Sequence, residues 1–391
     1  MRIMAWNLEN FKREDLVWGL RYGAPQIMKM LYPGGVATPV IDVFGVIEVY
    51  NRTGGGPPGR PLPANSLGTE ATILLYNELR GKNNATTEWR LVPPLSLGDA
   101  RRDEGVAVFY NAKKVQFQGP NQWYPARGES LPPQPGLAAG EYPVPWSGYV
   151  GAPYFAAKVK FYMDDTDLTT EITFPDNSHR RPFLVRFREV VGGKTIDVLF
   201  FHTSPPFRAD PDAPQNPAYL ACSYLGLVPE VTNPTHDGVY ATVVIGDLNV
   251  DANHADRWNN ALGTVTAWGY QPLLPVTIPG QRAVPTMSRE KDDVQLPPDP
   301  IPVPVCNQYY WRKFAIDNAI WGPPTVAAQG CAIDLTRETV TPFQTWPKLM
   351  EETITQIHTS AWPGSLSVFK ATRNWFQMRQ RSDHVPVVIS I

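Results

Sequence analysis

An acidic residue and a histidine stand side by side near the end of the chain, directly before an apolar stretch. Asp383 precedes His384, and residues 385–391 are predominantly apolar and β-branched. A carboxylate beside a histidine can hold one tautomer of the ring and stabilise its protonated form, which is how a base of tuned pKa is built. The pair alone also fits a helix-capping acid next to a surface histidine. Its chemistry therefore depends on partners elsewhere in the chain.

Polar residues that could be these partners occur where apolar runs end. The set consists of Asn7, Glu48, His202, Asp247, Asn249, Asp383 and His384. Side chains at corresponding strand ends can meet at one rim of a sheet. Hard oxygen ligands dominate the set, which suits Mg²⁺, with Mn²⁺ or Ca²⁺ as alternatives, rather than zinc. Taken singly, each residue also has an ordinary structural role as a turn former, a surface acid or a core histidine.

Hydrophobic periodicity predicts the elements that would position these residues. Strands are predicted near 2–7, 40–47, 101–110, 114–118, 156–162, 183–190, 196–201, 240–245, 314–321 and 385–391. Helices are predicted near 11–32, 69–80, 216–228, 345–357 and 368–379. This alternation favours a sheet-containing α/β or α+β domain.

Composition adds limits on organisation and partners. The 391 residues carry a net charge of −2, so the overall charge does not favour nucleic acid, although a local basic groove remains compatible with it. The 41 prolines are more than twice the usual share of about 5%. We interpret the chain as one domain, 1–391, with proline- and aromatic-rich insertions near 119–180 and 271–312.

The cysteines and the N-terminus bear on the compartment. Cys222, Cys306 and Cys331 are scattered, which predicts buried free thiols, with one disulfide as the alternative. No apolar run approaches the roughly 20 residues of a membrane helix. The first residues lack the apolar region and cleavage site of a signal peptide. We therefore expect a cytoplasmic protein, or one exported without a recognisable leader in this chain.

Four blocks, in order along the chain, carry a family resemblance. Residues 4–8 (Met-Ala-Trp-Asn-Leu), 46–49 (Val-Ile-Glu-Val), 246–249 (Gly-Asp-Leu-Asn) and 382–387 (Ser-Asp-His-Val-Pro-Val) resemble blocks of the endonuclease/exonuclease/phosphatase superfamily. Ile47 stands where glutamine is common in that superfamily. The resemblance implies a four-layer α/β/β/α sandwich, in which two mainly antiparallel sheets pack together between helices.

Further matches lean toward the deoxyribonuclease I branch of the superfamily. Residues 201–205 (Phe-His-Thr-Ser-Pro) resemble its strand ending in His-Ser-Ala-Pro, and Glu104 resembles the acid that pairs with that histidine. Asp317 fits the aspartate that precedes a later strand, but Asn318 departs from the arginine or tyrosine expected there. The inositol-phosphatase block Trp-x-Asp-Arg-Ile is absent from the sequence.

The resemblance also implies a mechanism of metal-assisted phosphoester hydrolysis. Glu48 would be the principal metal ligand, helped by Asn7, and Asp383 would hold the His384 ring and stand near the metal. His384 would act as a base or as a donor to phosphate, and Asp247 would orient or deprotonate the attacking water. Asn249 would donate to a phosphate oxygen, and His202 with Glu104 would act as the acid toward the leaving oxygen. Asp317 would belong to the substrate-binding rim, where it would contact a second cation or support the rim with Thr286.

Several substrates are compatible with this chemistry. Our first hypothesis is a DNA endonuclease, in which Arg52 and Arg102, together with Arg101 and Arg208, grip phosphates. The alternative for these arginines is a solvated surface. A second hypothesis is a phospholipid phosphodiesterase of the sphingomyelinase type, whose aromatic loop, residues 309–311, contacts a membrane. The structural alternative is that these aromatic residues pack onto the core. A small phosphate-ester hydrolase, or a binding protein without turnover, completes the set.

Overall fold

The computed structural model describes most of the chain outside the predicted insertions. The described residues are 1–13, 16, 24–32, 36–51, 62–63, 65–97, 104–119, 122–123, 134–135, 180–205, 215–252, 254–273, 287–290, 310–314, 317–332, 384 and 386–391. The predictions at 156–162, 345–357 and 368–379 fall outside them, as do Cys306 and most of both insertions.

Strands account for much of the described structure. In chain order they are β1 (Arg2–Phe11), β2 (Val43–Tyr50), β3 (Trp89–Ser96), β4 (Glu104–Asn111), β5 (Val115–Gly119), β6 (Gln122–Trp123), β7 (Gln134–Pro135), β8 (Phe183–Glu189), β9 (Thr195–His202), β10 (Ala241–Asp247), β11 (Gln271–Pro272), β12 (Met287–Glu290), β13 (Tyr310–Phe314), β14 (Asp317–Gly322), β15 (Gln329–Ala332) and β16 (Val387–Ser390).

Helices lie between these strands. They are α1 (Ala24–Leu31), α2 (Leu67–Arg80), α3 (Pro217–Tyr224), α4 (Pro229–Thr232) and α5 (Ala255–Ala267), with short 3₁₀ turns at Leu225–Leu227 and His236–Gly238. In the part of the chain that the structure describes, no helix combines the length and the apolar character needed to cross a membrane.

The strands form two six-stranded sheets. The first has the order β15-β16-β1-β2-β4-β3 and the second the order β11-β14-β10-β9-β8-β5. Within these sheets β1 pairs with β2 and β9 with β10 in parallel, whereas the other pairs are antiparallel. The predicted architecture, a sandwich of two mainly antiparallel sheets flanked by helices, is confirmed.

Close approach of the two sheets depends on glycine at their centre. Gly45 in β2 faces the ring of Phe200 in β9, and a Cβ at that position would overlap the ring. Gly246 in β10 has a φ of 149°, and a Cβ there would lie 2.8 Å from the Cδ1 atom of Ile47. The inner faces are lined by residues of one continuous hydrophobic core. The inner strand ends are therefore brought close together, which places polar residues of both sheets at one rim.

The start of the first predicted helix and one edge strand differ from what the sequence predicted. The helix predicted at 11–32 begins later, because Phe11 still belongs to β1; Arg13 and Leu16 are helical, α1 covers Ala24–Leu31, and residues 14–15 and 17–23 lie outside the described residues. Strand β3 was not predicted, since Pro93 and Pro94 argue against a strand; it lies at a sheet edge, and its register shifts between Val92 and Leu95. An edge strand with an irregular register tolerates proline.

Helix α5 was also not predicted. Trp258, Ala261, Leu262 and Val265 of α5 are buried at helical spacing, a pattern that the sequence does contain.

Cys222 in α3 is a buried free thiol, as predicted.

A buried ion cluster lies on β9, away from the polar rim. Asp197 is fully buried and accepts two hydrogen bonds from Arg186, at 2.7 and 3.0 Å, and its carboxylate lies 3.2 Å from Nε2 of His236. Burial alone would raise the pKa of Asp197, but hydrogen bonds from His236 and Arg186 outweigh it and lower this pKa. The hydrogen bond with Asp197 raises the pKa of His236, against the opposing effect of burial.

His236 should therefore stabilise the fold in a pH-dependent way. Because its pKa is higher in the folded protein than the ordinary 6.5, its stabilisation is complete below that value and is lost as pH rises through the folded pKa. We expect His236→Asn to cost about 1 kcal/mol of unfolding free energy at about pH 5.5 and little at about pH 8.5. Urea unfolding at both pH values measures this, with the exposed His254→Asn as control. An equal loss at both pH values would contradict the prediction.

Candidate active site

Three neighbouring strands of the second sheet place polar side chains in one row. Asp247, the last residue of β10, pairs with His202 at the end of β9 and with Asp317 at the start of β14. Residues directly opposite one another on adjacent strands share a face of the sheet. The row is almost completely buried, with exposures of 2% for Asp247, 4% for His202 and 3% for Asp317.

The first sheet adds Asn7 from β1 and Glu48 from β2. Both strands are irregular here: the pairing of β1 with β2 shifts between Asn7 and Phe11, and that of β2 with β4 between Val46 and Val49. Such bulges redirect side chains. The Asn7 amide donates to Oε1 of Glu48 at 3.0 Å and to Oδ2 of Asp247 at 3.1 Å, so it links the two sheets.

Among the described residues, Asp317 holds the His384 ring. Nδ1 of His384 lies 2.9 Å and 3.2 Å from the two carboxylate oxygens of Asp317. Asp317 stands 67 positions before His384 in the chain. Asp383, for which the same role was predicted, lies outside the described residues, so its role stays a prediction. The pairing of β10 with β14 brings Asp317 to this place, which adjacency along the chain cannot indicate. The indole of Trp6 donates to the His384 carbonyl at 3.1 Å and anchors its backbone.

The second histidine is held by the acid predicted for it. Nδ1 of His202 lies 2.5 Å from Oε1 of Glu104, the first residue of β4. The buried guanidinium of Arg180 contacts both members, at 3.4 Å from Glu104 and 3.3 Å from Nε2 of His202, and it donates to the Thr203 carbonyl at 3.2 Å. Arg180 was not among the predicted site residues. The sequence feature that could have identified Arg180 is its position three residues before β8, the strand that pairs antiparallel with β9.

Asp247 lies at the centre of the cluster. Its Oδ2 atom is 3.5 Å from Nε2 of His202 and 3.7 Å from Nε2 of His384. Its other oxygen, Oδ1, accepts the backbone N–H of Asn249 at 3.0 Å. Each histidine thus has Nδ1 on a buried carboxylate and Nε2 directed toward the same oxygen. This arrangement can move protons on either side of one central carboxylate.

Asn249 is fixed immediately beside Asp247. Its backbone is left-handed, with φ of 51°, and its side-chain amide donates to the Thr203 carbonyl at 2.8 Å. Asparagine tolerates this conformation better than most residues. One amide N–H is therefore used to orient the side chain, and the amide carries a second N–H.

Burial shifts the pKa values of the central groups toward their neutral forms. It raises the pKa of Glu104 to about 7, with Arg180 opposing the shift, and lowers the pKa of His202 to about 4, with Arg180 adding to the shift. It raises the pKa of Asp247 to about 6, and His384 opposes the shift. Groups with such perturbed pKa values are typical of catalytic sites.

The donor set fits a divalent cation. Glu48, His202 and Asp247 offer ligand atoms that all lie within 4.8 Å of one another, and the same holds for Asp247, Asp317 and His384. Buried carboxylates in such proximity repel one another unless a cation or protons compensate. Asn7 is an exception among the predicted ligands, because its amide oxygen accepts the Glu9 N–H at 2.9 Å and its NH₂ faces the carboxylates. In this orientation Asn7 positions the carboxylates, and its role as a direct ligand stays a prediction.

The remaining predicted residues cannot be placed. Arg52, Arg102 and Asp383 lie outside the described residues, as do Arg101, Arg208 and Thr286. The described structure brings together Asn7, Glu48, Glu104, His202, Asp247, Asn249, Asp317 and His384. This group spans both sheets and nearly the whole length of the chain.

Comparisons with known proteins concern the fold. The chain matches no protein-family model and no curated protein. Many solved structures that match are endonuclease/exonuclease/phosphatase proteins, the superfamily that the sequence blocks resemble. One such protein from Leptotrichia buccalis is 11% identical, with a TM-score of 0.45 and coverage of 100% of this chain and 99% of that chain.

Two further matches are of the same kind. A protein of this family from Bacteroides vulgatus is 11% identical, with a TM-score of 0.44 and coverage of 100% and 98% of the two chains. An AP endonuclease from Archaeoglobus fulgidus is 12% identical, with a TM-score of 0.42 and coverage of 100% and 99%. Likenesses at this level do not extend to activity or substrate.

Proposed function

We propose that this protein is a divalent-metal-dependent phosphodiesterase and that its substrate is DNA. The observation that carries the proposal is the geometry around Asp247. Two histidines, each held through Nδ1 by a buried carboxylate, direct Nε2 toward one oxygen of Asp247, and Glu48 lies 3.4 Å from Nε2 of His202. An acid, a base and a cluster of hard ligands are what hydrolysis of an unactivated phosphate ester requires.

Each residue has a role that follows from its contacts. Glu48 and Asp247 would hold Mg²⁺ or Mn²⁺, which when bound offsets the negative charge of the phosphate group. Asp247 orients the attacking water and accepts its proton. The second amide N–H of Asn249 donates to a non-bridging phosphate oxygen, and His384, oriented by Asp317, donates to another.

The Glu104–His202 pair is suited to protonate the leaving oxygen. Burial favours neutral Glu104 and neutral His202, so that together the pair holds two protons. Nε2–H of His202 can pass its proton to the leaving oxygen while Nδ1 receives the proton of Glu104. The products are a protonated leaving group, a neutral imidazole and a Glu104 carboxylate beside Arg180. Such general acid catalysis contributes roughly 10²–10⁴-fold in rate.

DNA is favoured over the other substrates by the same pair. The resemblance to the deoxyribonuclease I branch rests on the block at 201–205 and on Glu104 as the partner of His202, and the contact between these two residues is present in the structure. The aromatic loop on which a phospholipid substrate would depend, residues 309–311, is described only in part. No described contact favours a lipid headgroup.

The discriminating experiment compares three substrates with Mg²⁺. Purified protein should nick supercoiled plasmid in a steeply salt-dependent manner, and should turn over sphingomyelin and bis-p-nitrophenyl phosphate poorly. EDTA should abolish nicking, and added Mg²⁺ should restore it. Efficient sphingomyelin hydrolysis without nicking would replace DNA by a lipid substrate. Full activity in EDTA would contradict the metal role of Glu48 and Asp247.

Arg180 should set the alkaline limb of the pH–rate profile. Its positive charge lowers the pKa values of both Glu104 and His202, so removing it lets the pair keep its proton to higher pH. We expect Arg180→Met to reduce the rate and to move the alkaline limb of kcat/KM upward by roughly one pH unit. The exposed Arg188→Met on β8 is the control. An unchanged alkaline limb would show that Arg180 does not control the pKa of the Glu104–His202 pair.

A further inference from the structure

The end of β1 carries two consecutive residues in left-handed conformation. Glu9 has φ of 46° and Asn10 has φ of 60°, within the stretch where β1 and β2 lose their regular register. Glu48, on the neighbouring strand, is also left-handed, with φ of 62°. Residues other than glycine rarely adopt this backbone conformation, and asparagine is among those that tolerate it best. Both strands thus depart from regular geometry at the level of the Glu48 carboxylate.

Both oxygens of that carboxylate are held from the irregular end of β1. The backbone N–H of Asn10 donates to Oε2 at 2.9 Å, and the Asn7 amide donates to Oε1 at 3.0 Å. The Asn7 amide is itself oriented by the Glu9 N–H, which donates to its oxygen at 2.9 Å. A carboxylate held at both oxygens cannot rotate about its terminal bond without losing a hydrogen bond. Its orientation therefore depends on the backbone at Glu9 and Asn10.

We infer that Asn10 is a positioning residue for the metal ligand Glu48, acting through its left-handed backbone and not through its side chain. The inference rests on the proposed function, because it takes Glu48 as a ligand of the cation. The side chain of Asn10 is exposed, so substitutions there change backbone preference with little loss of packing. Residues that disfavour left-handed φ release the Oε2 hydrogen bond and weaken binding of the cation.

The test compares Asn10→Gly with Asn10→Ala by titrating Mn²⁺ into the full chain without substrate and following free Mn²⁺ by electron paramagnetic resonance. Asn10→Gly keeps the N–H and accepts positive φ, so its dissociation constant should stay within about twofold of the wild type. Asn10→Ala should bind Mn²⁺ about 5- to 30-fold more weakly, the factor expected from the strain of a left-handed alanine. Turnover of Asn10→Ala should recover at saturating Mn²⁺.

Asp237 provides a matched control at a distance from the site. It is left-handed as well, with φ of 52°, its side chain is 75% exposed, and it lies near Arg186. Asp237→Ala and Asp237→Gly should differ in thermal stability in the same direction as the Asn10 pair. Neither Asp237 variant should change Mn²⁺ binding. This separates general backbone strain from an effect on Glu48.

Each result decides one of two questions. Equal Mn²⁺ affinity of Asn10→Ala and Asn10→Gly, with tight binding to the wild type, would overturn the role of Asn10 and leave the proposed function standing. A wild type that does not bind Mn²⁺, or a Glu48→Gln variant that binds it normally, would overturn the metal role of Glu48 and this inference with it. If Asn10→Ala does not fold, Asn10→Ser replaces it, with weaker binding than Asn10→Gly again expected.

Discussion

Asp247→Asn will lose hydrolysis by about 10³–10⁴-fold while the protein stays folded. The substitution keeps the size of the side chain but removes the negative charge that faces both histidines and the Asn7 amide. It also removes the acceptor for the proton of the attacking water. Steady-state nicking of plasmid with saturating Mg²⁺ measures the effect, and the exposed Asp256→Asn in α5 is the matched control.

Asp247→Asn should lose activity without losing folding stability at alkaline pH. The pKa of Asp247 is raised from 3.8 to about 6, chiefly by burial, so the wild type has the full contribution of this group below pH 3.8 and loses it as pH rises through about 6. In EDTA at about pH 8, Asp247→Asn should therefore be at least as stable as the wild type, and it should lose that advantage at about pH 4. Turnover near the wild-type rate, or collapse of stability at pH 8, would each contradict the role given to Asp247.

His384→Gln will also reduce hydrolysis strongly, by about 10²–10⁴-fold, because the ring presents the second donor to the phosphate. Asp317 acts through His384, which it contacts at 2.9 Å, so Asp317→Asn should be costly in the wild type and nearly without effect in the His384→Gln background. Kinetics of the two single variants and the double variant measure this coupling. The exposed His254→Gln is the control for loss of a histidine.

The same cycle discriminates between the two aspartates that could hold the ring. Asp383 precedes His384 along the chain, and Asp317 contacts it in the structure. If Asp317 holds the ring, Asp383→Asn should combine with His384→Gln independently. Strong coupling of Asp383 with His384, together with independent effects of Asp317, would reverse the assignment.

The sequence alone predicted the central strands and most of the residues that the structure brings together at the rim. Apolar runs that end in polar residues predicted Asn7, Glu48, His202 and Asp247 as members of one rim, because residues at the ends of buried strands emerge together where the sheet stops. The contact of His202 with Glu104, across 98 positions of the chain, was implied by the family resemblance and not by the local pattern. The strand ends depend on local patterns of burial, which the order of residues records directly.

Local patterns were insufficient where an element departs from ordinary preference. Pro93 and Pro94 made β3 look unlike a strand, because proline lacks the N–H that strand pairing needs. Proline is tolerated here because β3 is an edge strand with an irregular register. The left-handed backbone at Glu9, Asn10 and Glu48 was likewise not visible, because these residues also occur in ordinary strands and turns. Such positions are determined by the strands around them.

The sequence by itself determined which residue types end the central strands, and hence the kind of chemistry that the rim supports. Only the tertiary structure decided which groups touch: that Asp317 contacts the His384 ring, that Arg180 lies against the Glu104–His202 pair, and that the Asn7 amide turns its NH₂ toward two carboxylates. The physical reason is that hydrogen-bond partners are selected by strand register and by the packing of one sheet on the other. Both are set by contacts between residues far apart in the chain.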